Sequence, residues 1–436
     1  MTYSKMFNSK DGKNYLITFV LISTLFFLWG TCNGMIDVMD KHFQDLLHLT
    51  KAQSAWVQFA HYLGYFLMAL PASWLASKFG YKNGIIIGLL LVSLGGFWFI
   101  PATKIAAFWA FLFGVCLISM GLTILETVAN PYTTVLGPKE FAASRINLAQ
   151  SFNGVGWILG PIIGGAFFYS NQGAEVAQQQ LYIPYLIVAV VVLILAIVFF
   201  FSYVPDLNTE DEYQLDNSSA TTSKKSIWAH PHFIGAVLAQ FFYVAAQAGI
   251  FSFFINYVIE EVPAITQEIA NSWLFNERVS IKEGSFFINE KGATFLLGTI
   301  GFPLFLLGRA IGAAIMRKLK SYKVLGVYAL INFFVCGLIV LNLGWASTIS
   351  VFLSFFFMSI MFPTIFALGI YGLGVKAKKA SGFIVMAIMG GAIMPKLMGH
   401  LGDEYNMSVS FLMPMFCFAI ISVYGFAWPK LSKTSL

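Results

Sequence analysis

Charge is scarce in this sequence. Asp, Glu, Lys and Arg make up 11% of its 436 residues, against roughly 25% in a soluble domain. A chain so short of charge cannot clothe its own surface in solvated side chains. Cysteine is scarce as well: Cys32, Cys116, Cys336 and Cys417 each sit in an apolar run, and none shows metal-ligand spacing. Free, buried thiols are expected, with no disulfide and no metal centre. Catalytic signatures are missing too. There is no GxSxG, no HExxH and no phosphate-binding loop, so an enzyme is not indicated and no cofactor is implied.

What the chain has instead is apolar surface. Hydrophobic residues make up 58%, and Phe alone occurs 45 times. One soluble core of this size cannot hide so much, so lipid must be the solvent for much of it. The net charge of +6 does not point to nucleic acid, because the basic residues lie in short loops between apolar runs. Lys78, Lys82, Arg145, Lys318, Lys323 and Lys430 are examples. The positive-inside rule then places both termini in the cytoplasm. The polar start of the chain is followed by an apolar run without a small-residue cleavage site, so that run is expected to stay as the first span.

A spanning helix needs about 20 mostly apolar residues. About twelve such stretches occur, at roughly 14–39, 52–76, 84–100, 105–135, 146–170 and 183–204, then 230–258, 292–316, 324–343, 347–374, 382–402 and 408–428. Between the sixth and seventh lies a polar segment rich in Ser, Thr and Asn that has nothing with which to bury a core. The layout is therefore an N-terminal six-helix half (1–204), a cytoplasmic linker (205–229) and a C-terminal six-helix half (230–436). The halves look like distant copies. A tight basic turn follows the second span at Lys78–Lys82 and the eighth at Lys318–Lys323. The fold class is an all-α membrane protein of twelve transmembrane helices in two pseudo-symmetric halves, as in transporters built from repeats.

Ionisable residues inside a membrane are costly and by default functional. Almost every acidic residue sits in a predicted loop or at a helix end. Asp37 in the first span and Glu126 in the fourth do not. A carboxyl in apolar surroundings takes up a proton on one side of the membrane and gives it up on the other, which is the chemistry of proton coupling. The bland alternative is a structural carboxyl paired with a neighbouring hydroxyl or amide. Asp40 lies one turn beyond Asp37, toward the external mouth.

Amides recur at helical spacing. Asn147, Gln150 and Asn153 share one face of the fifth span, Gln240, Tyr243 and Gln247 one face of the seventh, and Glu126 and Asn130 one face of the fourth. Amides both donate and accept, which suits the hydroxyl-rich edge of a sugar. Asn33 in the first span joins this set. Trp29, Phe251 or Phe254 would stack on a sugar's apolar face. For any single amide the competing role is a helix–helix hydrogen bond.

Arg309 is expected in a structural or gating ion pair, and Lys396 to snorkel outward from the eleventh span, with pairing to a carboxylate or standing in for a coupling cation as its alternatives. His61 is expected to be a satisfied packing histidine. Gly156, Gly160 and Gly164 form a small-residue stripe that lets helices approach closely. The same stripe, GWILGPIIGG, looks like a signature of drug:proton antiporters and keeps that function open as an alternative.

The best-defined stretches are FFLWGTCNGMID at 26–37, LETVANPYTTVLGP at 125–138, RINLAQSFN at 145–153, LAQFFYVAAQ at 238–247, FPTIFALGI at 362–370 and GFIVMAIMGG at 382–391. On these the chain resembles the fucose/galactose/glucose:proton symporter family of the major facilitator superfamily. The resemblance implies the major facilitator fold. It also implies proton-coupled import of a neutral monosaccharide, with proton coupling and sugar binding at Asp37 and Glu126 and a sugar cavity lined by Gln150 and Asn153. The expected partners are a monosaccharide and the bilayer, a bacterial inner membrane, and a monomer is the expected working unit. Departures from the family pattern are Gly34 and Ile36 before the aspartate, Ser77 in the basic turn, Lys396, and an external insert at about 259–291. A sodium-coupled sugar symporter is the nearest alternative.

Overall fold

The structure, a computed structural model, describes residues 6–8, 14–137, 142–169, 182–204, 226–272, 274–275, 277–316, 318–373 and 377–433. Most of the predicted linker, 205–225, lies outside them.

Helix dominates, because in lipid each segment must satisfy its own backbone N–H and C=O groups. The chain runs through α1 (Leu16–Leu47), the single turn α2 (Lys51–Ser54), α3 (Trp56–Ile105), α4 (Phe108–Val135), α5 (Ala142–Phe168) and α6 (Ile183–Phe201). There follow α7 (Pro231–Ser252), α8 (Phe254–Glu261), the short α9 (Gln267–Ala270), a hairpin of β1 (Val279–Lys282) and β2 (Ser285–Ile288), and α10 (Glu290–Leu296). A π-helical segment, Leu297–Gly301, leads into α11 (Phe302–Met316). The rest comprises α12 (Ser321–Val340), α13 (Trp345–Met358), α14 (Met361–Ile370), α15 (Ala377–Met386), α16 (Gly390–Glu404), the short α17 (Met407–Ser410) and α18 (Leu412–Lys433).

Eleven helical stretches among the described residues are long and apolar enough to cross a membrane. The predicted second span, 52–76, is helical as well, but Gln53, Gln58 and His61 dilute its hydropathy and it is not among the eleven. It is continuous with the third span in the 50-residue α3, which is interrupted at Gly80, with φ 77° and ψ 175°. That left-handed φ is open to glycine at little cost. The interruption falls inside the predicted basic turn Lys78–Lys82.

The insert contains an element that the all-α reading did not include. Val279 pairs with Ile288 and Lys282 with Ser285 in an antiparallel ladder. Glu283 and Gly284 between the strands both have positive φ, 51° and 79°, the requirement of a two-residue turn whose twist matches its strands. The hairpin borders a cavity of about 420 Å³ lined by Lys41, Glu260, Lys282 and Glu290, among others.

The contacts divide the chain into two units. One holds Met1–Ile36 with Ala60–Leu215; the other holds Asp37–Phe59 with Asp216–Leu436. The sequence layout kept Asp37–Phe59 in the first half. Its contacts explain the reassignment. Asp403 accepts from the backbone N–H groups of Lys51 and Ala52, both at 2.9 Å. The Lys51 ammonium bonds the Gly402 carbonyl and pairs with Glu260, both at 3.0 Å. Asn256 donates to Gln44 at 2.6 Å. A Cβ at Gly399 would lie 2.8 Å from the Lys51 backbone, so only glycine fits there.

In the first unit two further features set the core. Arg145, counted as a loop cation in the sequence, is fully buried. Its guanidinium donates to the carbonyls of Thr133, Met6 and Gly137 at 2.9, 3.0 and 3.3 Å, tying the end of α4 to the start of the chain. The glycine stripe lies at a close helix approach. A Cβ on Gly156 would meet the Phe27 carbonyl and lie 2.7 Å from the Thr31 nitrogen, and one on Gly160 would lie 2.7 Å from the Thr31 carbonyl. Gly30 and Gly34 on α1 face the same contact, and Gly164 is buried. The backbones of α1 and α5 therefore touch.

Overpacking such a contact costs about 1–3 kcal/mol or more. Gly156→Val is expected to lower the yield of monodisperse protein in detergent. Gly382→Ala, where a Cβ meets nothing within 4 Å, is expected to leave it unchanged. Equal yields for the two variants, measured by size-exclusion chromatography, would contradict the close-packed reading.

Candidate functional site

On α4 the residues Leu122, Leu125, Val128 and Ala129 are buried, while Glu126 and Asn130, one turn apart, stay half-buried. The helical period alone puts the carboxyl and the amide on one face. Nearby hydroxyls do not compete for them, since Thr123, Thr127 and Thr133 each bond a carbonyl of their own helix. Among the described residues no ion pair and no hydrogen bond holds Glu126.

Its surroundings are polar all the same. Gln150 on α5 donates to the Asn130 side chain at 3.0 Å. Trp29 on α1 donates its indole N–H to the Tyr65 hydroxyl on α3 at 2.7 Å. The Tyr65 hydroxyl lies within the electrostatic reach of Glu126 and close to the Asn33 amide. Asn33 itself donates back to the Trp29 carbonyl at 2.9 Å and is buried. Glu126, Asn130, Gln150, Trp29, Asn33 and Tyr65 thus form one constellation in the first unit. Tyr65 escaped the sequence reading, which weighed acids, amides and cations. Its signal was its place four residues after His61 on a span unusually rich in polar groups.

Asn153, expected in the cavity, and His61, expected to pack, are both engaged in structural contacts. Asn153 is buried and donates to the Phe26 carbonyl at 3.2 Å, a helix–helix bond between α5 and α1. His61 meets Ser119 at 2.6 Å. Ser119 already donates its proton to the Val115 carbonyl, so the imidazole Nδ1 is the donor, as suits a packing histidine. The side chain of Asn147 lies outside the described residues.

The second unit contains two more polar groups of residues. Near the end of α1, Asp37 is buried and accepts from the Gln58 amide at 3.2 Å. Asp40, expected toward an open mouth, is instead fully buried, because the Asp37–Phe59 segment packs within this unit. On α7, Gln240 and Tyr243 are fully buried, and among the described residues neither the Gln240 amide atoms nor the Tyr243 hydroxyl finds a hydrogen-bond partner. Gln247 on the same helix is half-buried. Arg309 lies within electrostatic reach of the Tyr243 hydroxyl.

Three expectations need correction. Arg309 makes no ion pair among the described residues. It bonds the Ser359 carbonyl at 3.3 Å and lies 5.0 Å from the Phe305 ring centroid. Lys396 does not merely snorkel: its ammonium sits 4.0 Å over the ring of Trp56, a cation–π contact. Phe251 and Phe254 are not free to stack on a ligand. Both are buried, with Phe251 stacked on Phe355 at 5.0 Å and Phe254 edge-on to Phe352 and Phe355. Of the three proposed stacking residues only Trp29 is partly exposed.

Comparison with known proteins fits this architecture. The Major Facilitator Superfamily model matches residues 16–395. The L-fucose–proton symporter of Escherichia coli (strain K12) is 35% identical over 434 residues, covering 95% of this chain and 94% of that protein. The glucose/galactose transporter of Brucella abortus biovar 1 (strain 9-941) is 32% identical over 425 residues, covering 97% and 96%. The crystal structure of the transporter FucP in its outward conformation matches with a TM-score of 0.64 at 34% identity, covering 95% of this chain and 99% of that one. The chain therefore belongs to the Major Facilitator Superfamily and, within it, to the family of the L-fucose–proton symporter and the glucose/galactose transporters: it is a multi-pass membrane transporter and not an enzyme.

Proposed function

We propose that the protein is a proton-coupled symporter that carries a neutral monosaccharide, a hexose or 6-deoxyhexose such as L-fucose, glucose or galactose, into a bacterial cell. The observation that carries this reading is Glu126. It is a carboxyl in the apolar interior of a lipid-solvated bundle, and no cation or hydrogen-bond donor among the described residues is committed to it. It stands beside the Asn130–Gln150 amide pair and the Trp29–Tyr65 pair. Such a group is held neutral by a proton or recruited by a ligand hydroxyl. The printed functions of the relatives, an L-fucose–proton symporter and a glucose/galactose transporter, support the same substrate class.

In this reading Glu126 binds the coupling proton and is joined in that role by Asp37. Asn130, Gln150 and Asn33 give and take hydrogen bonds with sugar hydroxyls, and Trp29 covers the apolar face of the ring. Within the second unit, Gln240, Tyr243 and Gln247 on α7 are the polar groups proposed to bind sugar hydroxyls. With the basic loops inside, both termini face the cytoplasm. One elementary charge crossing 100 mV releases roughly 2.3 kcal/mol, so one proton per sugar supports about 50-fold accumulation.

Glu126→Gln keeps the size and polarity of the side chain but cannot cycle a proton. It is expected to abolish uphill sugar uptake in proteoliposomes with an imposed proton gradient, while sugar exchange at equilibrium continues. Full uphill uptake by this variant would exclude Glu126 as the coupling site. Gln150→Ala removes one sugar-facing amide. A lost hydrogen bond of about 1 kcal/mol corresponds to roughly five-fold weaker sugar binding, with folding retained. Unchanged affinity in a direct binding measurement would remove Gln150 from the cavity.

A further inference from the structure

Lys396 has no part in the function just described. It lies inside the spanning stretch Gly382–Glu404, about 12 Å along the axis from the end of α16 at Glu404. On this helix Met394, Pro395, Met398 and Gly399 are buried. Ile393, Lys396, Leu397 and His400 are exposed, and their spacing makes one continuous stripe. Ile393 is 46% and Leu397 48% exposed. Large apolar side chains left so open on a spanning helix face lipid.

An ammonium on such a stripe is costly unless something answers its charge. The protein does not. Among the described residues Lys396 makes no ion pair and no hydrogen bond. Asp403 is spent on the backbone N–H groups of Lys51 and Ala52, and Glu404 lies two turns further along. What Lys396 has is the face of Trp56, 4.0 Å from its ammonium. Trp56 is 36% exposed and is held edge-on by Phe59 at 4.9 Å. A ring covers one side of an ammonium and accepts no ordinary hydrogen bond, so the three N–H donors still lack an oxygen. The pair is also fixed in place. Gly399 packs on the Lys51 backbone, where a Cβ would lie 2.8 Å away, and Asp403 fastens the same turn.

We propose that Lys396, Trp56 and His400 form a headgroup site for an anionic phospholipid of the phosphatidylglycerol class. The lipid phosphate supplies the missing negative charge and the oxygen acceptors for Lys396. His400, one turn nearer the helix end, offers an imidazole N–H to the same headgroup. Trp56 sits at headgroup level, as indoles do at membrane interfaces, and the acyl chains lie along Ile393 and Leu397. A zwitterionic lipid brings its own cation to the phosphate and gains less from Lys396. The site does not rest on the identity of the sugar or on the coupling ion.

The test is native mass spectrometry of the full chain, stripped of lipid in a neutral detergent. It is titrated with phosphatidylglycerol and, separately, with phosphatidylcholine of the same acyl chains. The first phosphatidylglycerol is expected to bind more tightly than the first phosphatidylcholine. Lys396→Gln should weaken that first event about five-fold, and Lys396→Arg should keep it. Trp56→Leu should weaken it, while Lys282→Gln, on the external hairpin, should leave it unchanged. These side chains are exposed, so folding is expected to be retained, as size-exclusion chromatography checks. Equal affinities for the two lipids would overturn the proposal. So would a Lys396→Gln protein that binds phosphatidylglycerol as tightly as the wild type. Displacement of the lipid by excess glycerol phosphate would assign the site to a soluble phosphate instead and would also overturn it.

Discussion

An acid surrounded by apolar side chains and lipid has three ways to be tolerated: a positive partner, a shell of hydrogen-bond donors, or neutralisation by a cation taken from solution. Glu126 has neither of the first two among the described residues, and Asp37 has one amide contact. The remaining option ties the charge state of these groups to the solution outside. That dependence is what a secondary transporter needs, since a conformational cycle is driven only by a ligand that binds its states unequally. The surrounding hydrogen bonds fit the same logic. Trp29 and Tyr65 satisfy one another, as do Gln150 and Asn130, so the site is preorganised while its carboxyl stays uncommitted.

The scaffold holds that arrangement by close backbone contact. Without a hydrophobic drive between helices in lipid, packing of small residues takes over. The glycines of α1 and α5 bring those two helices together, and the Asn153–Phe26 bond fixes their register. The same α1 carries Trp29 and Asn33, and the same α5 carries Gln150. In the second unit the Lys51–Asp403–Glu260 contacts hold the Asp37–Phe59 segment against its own set of helices. That packing is what encloses Asp40.

Much of this was legible in the sequence because lipid imposes simple rules. Length and apolarity marked the helices, and the scarcity of charge made Asp37 and Glu126 conspicuous. The glycine spacing named a packing face that the structure contains. Other features were invisible for physical reasons. The burial of Arg145 depends on the Thr133 and Gly137 carbonyls together with that of Met6, 139 residues away, and no local pattern announces it. Lys396 found Trp56 across the fold, and Phe251 found an aromatic cluster; both partnerships are tertiary. Tyr65 carries no charge and sits among many aromatics, so only its hydrogen bond from Trp29 distinguishes it.

Under the proposed function, sugar movement and proton movement are one event. It is tested most directly by adding L-fucose, glucose or galactose in turn to sealed proteoliposomes of the wild-type protein in weakly buffered medium and recording external pH. The transported sugar is expected to make the medium more alkaline, in proportion to its uptake and only when protein is present. Sugar entry with no accompanying proton movement would contradict it.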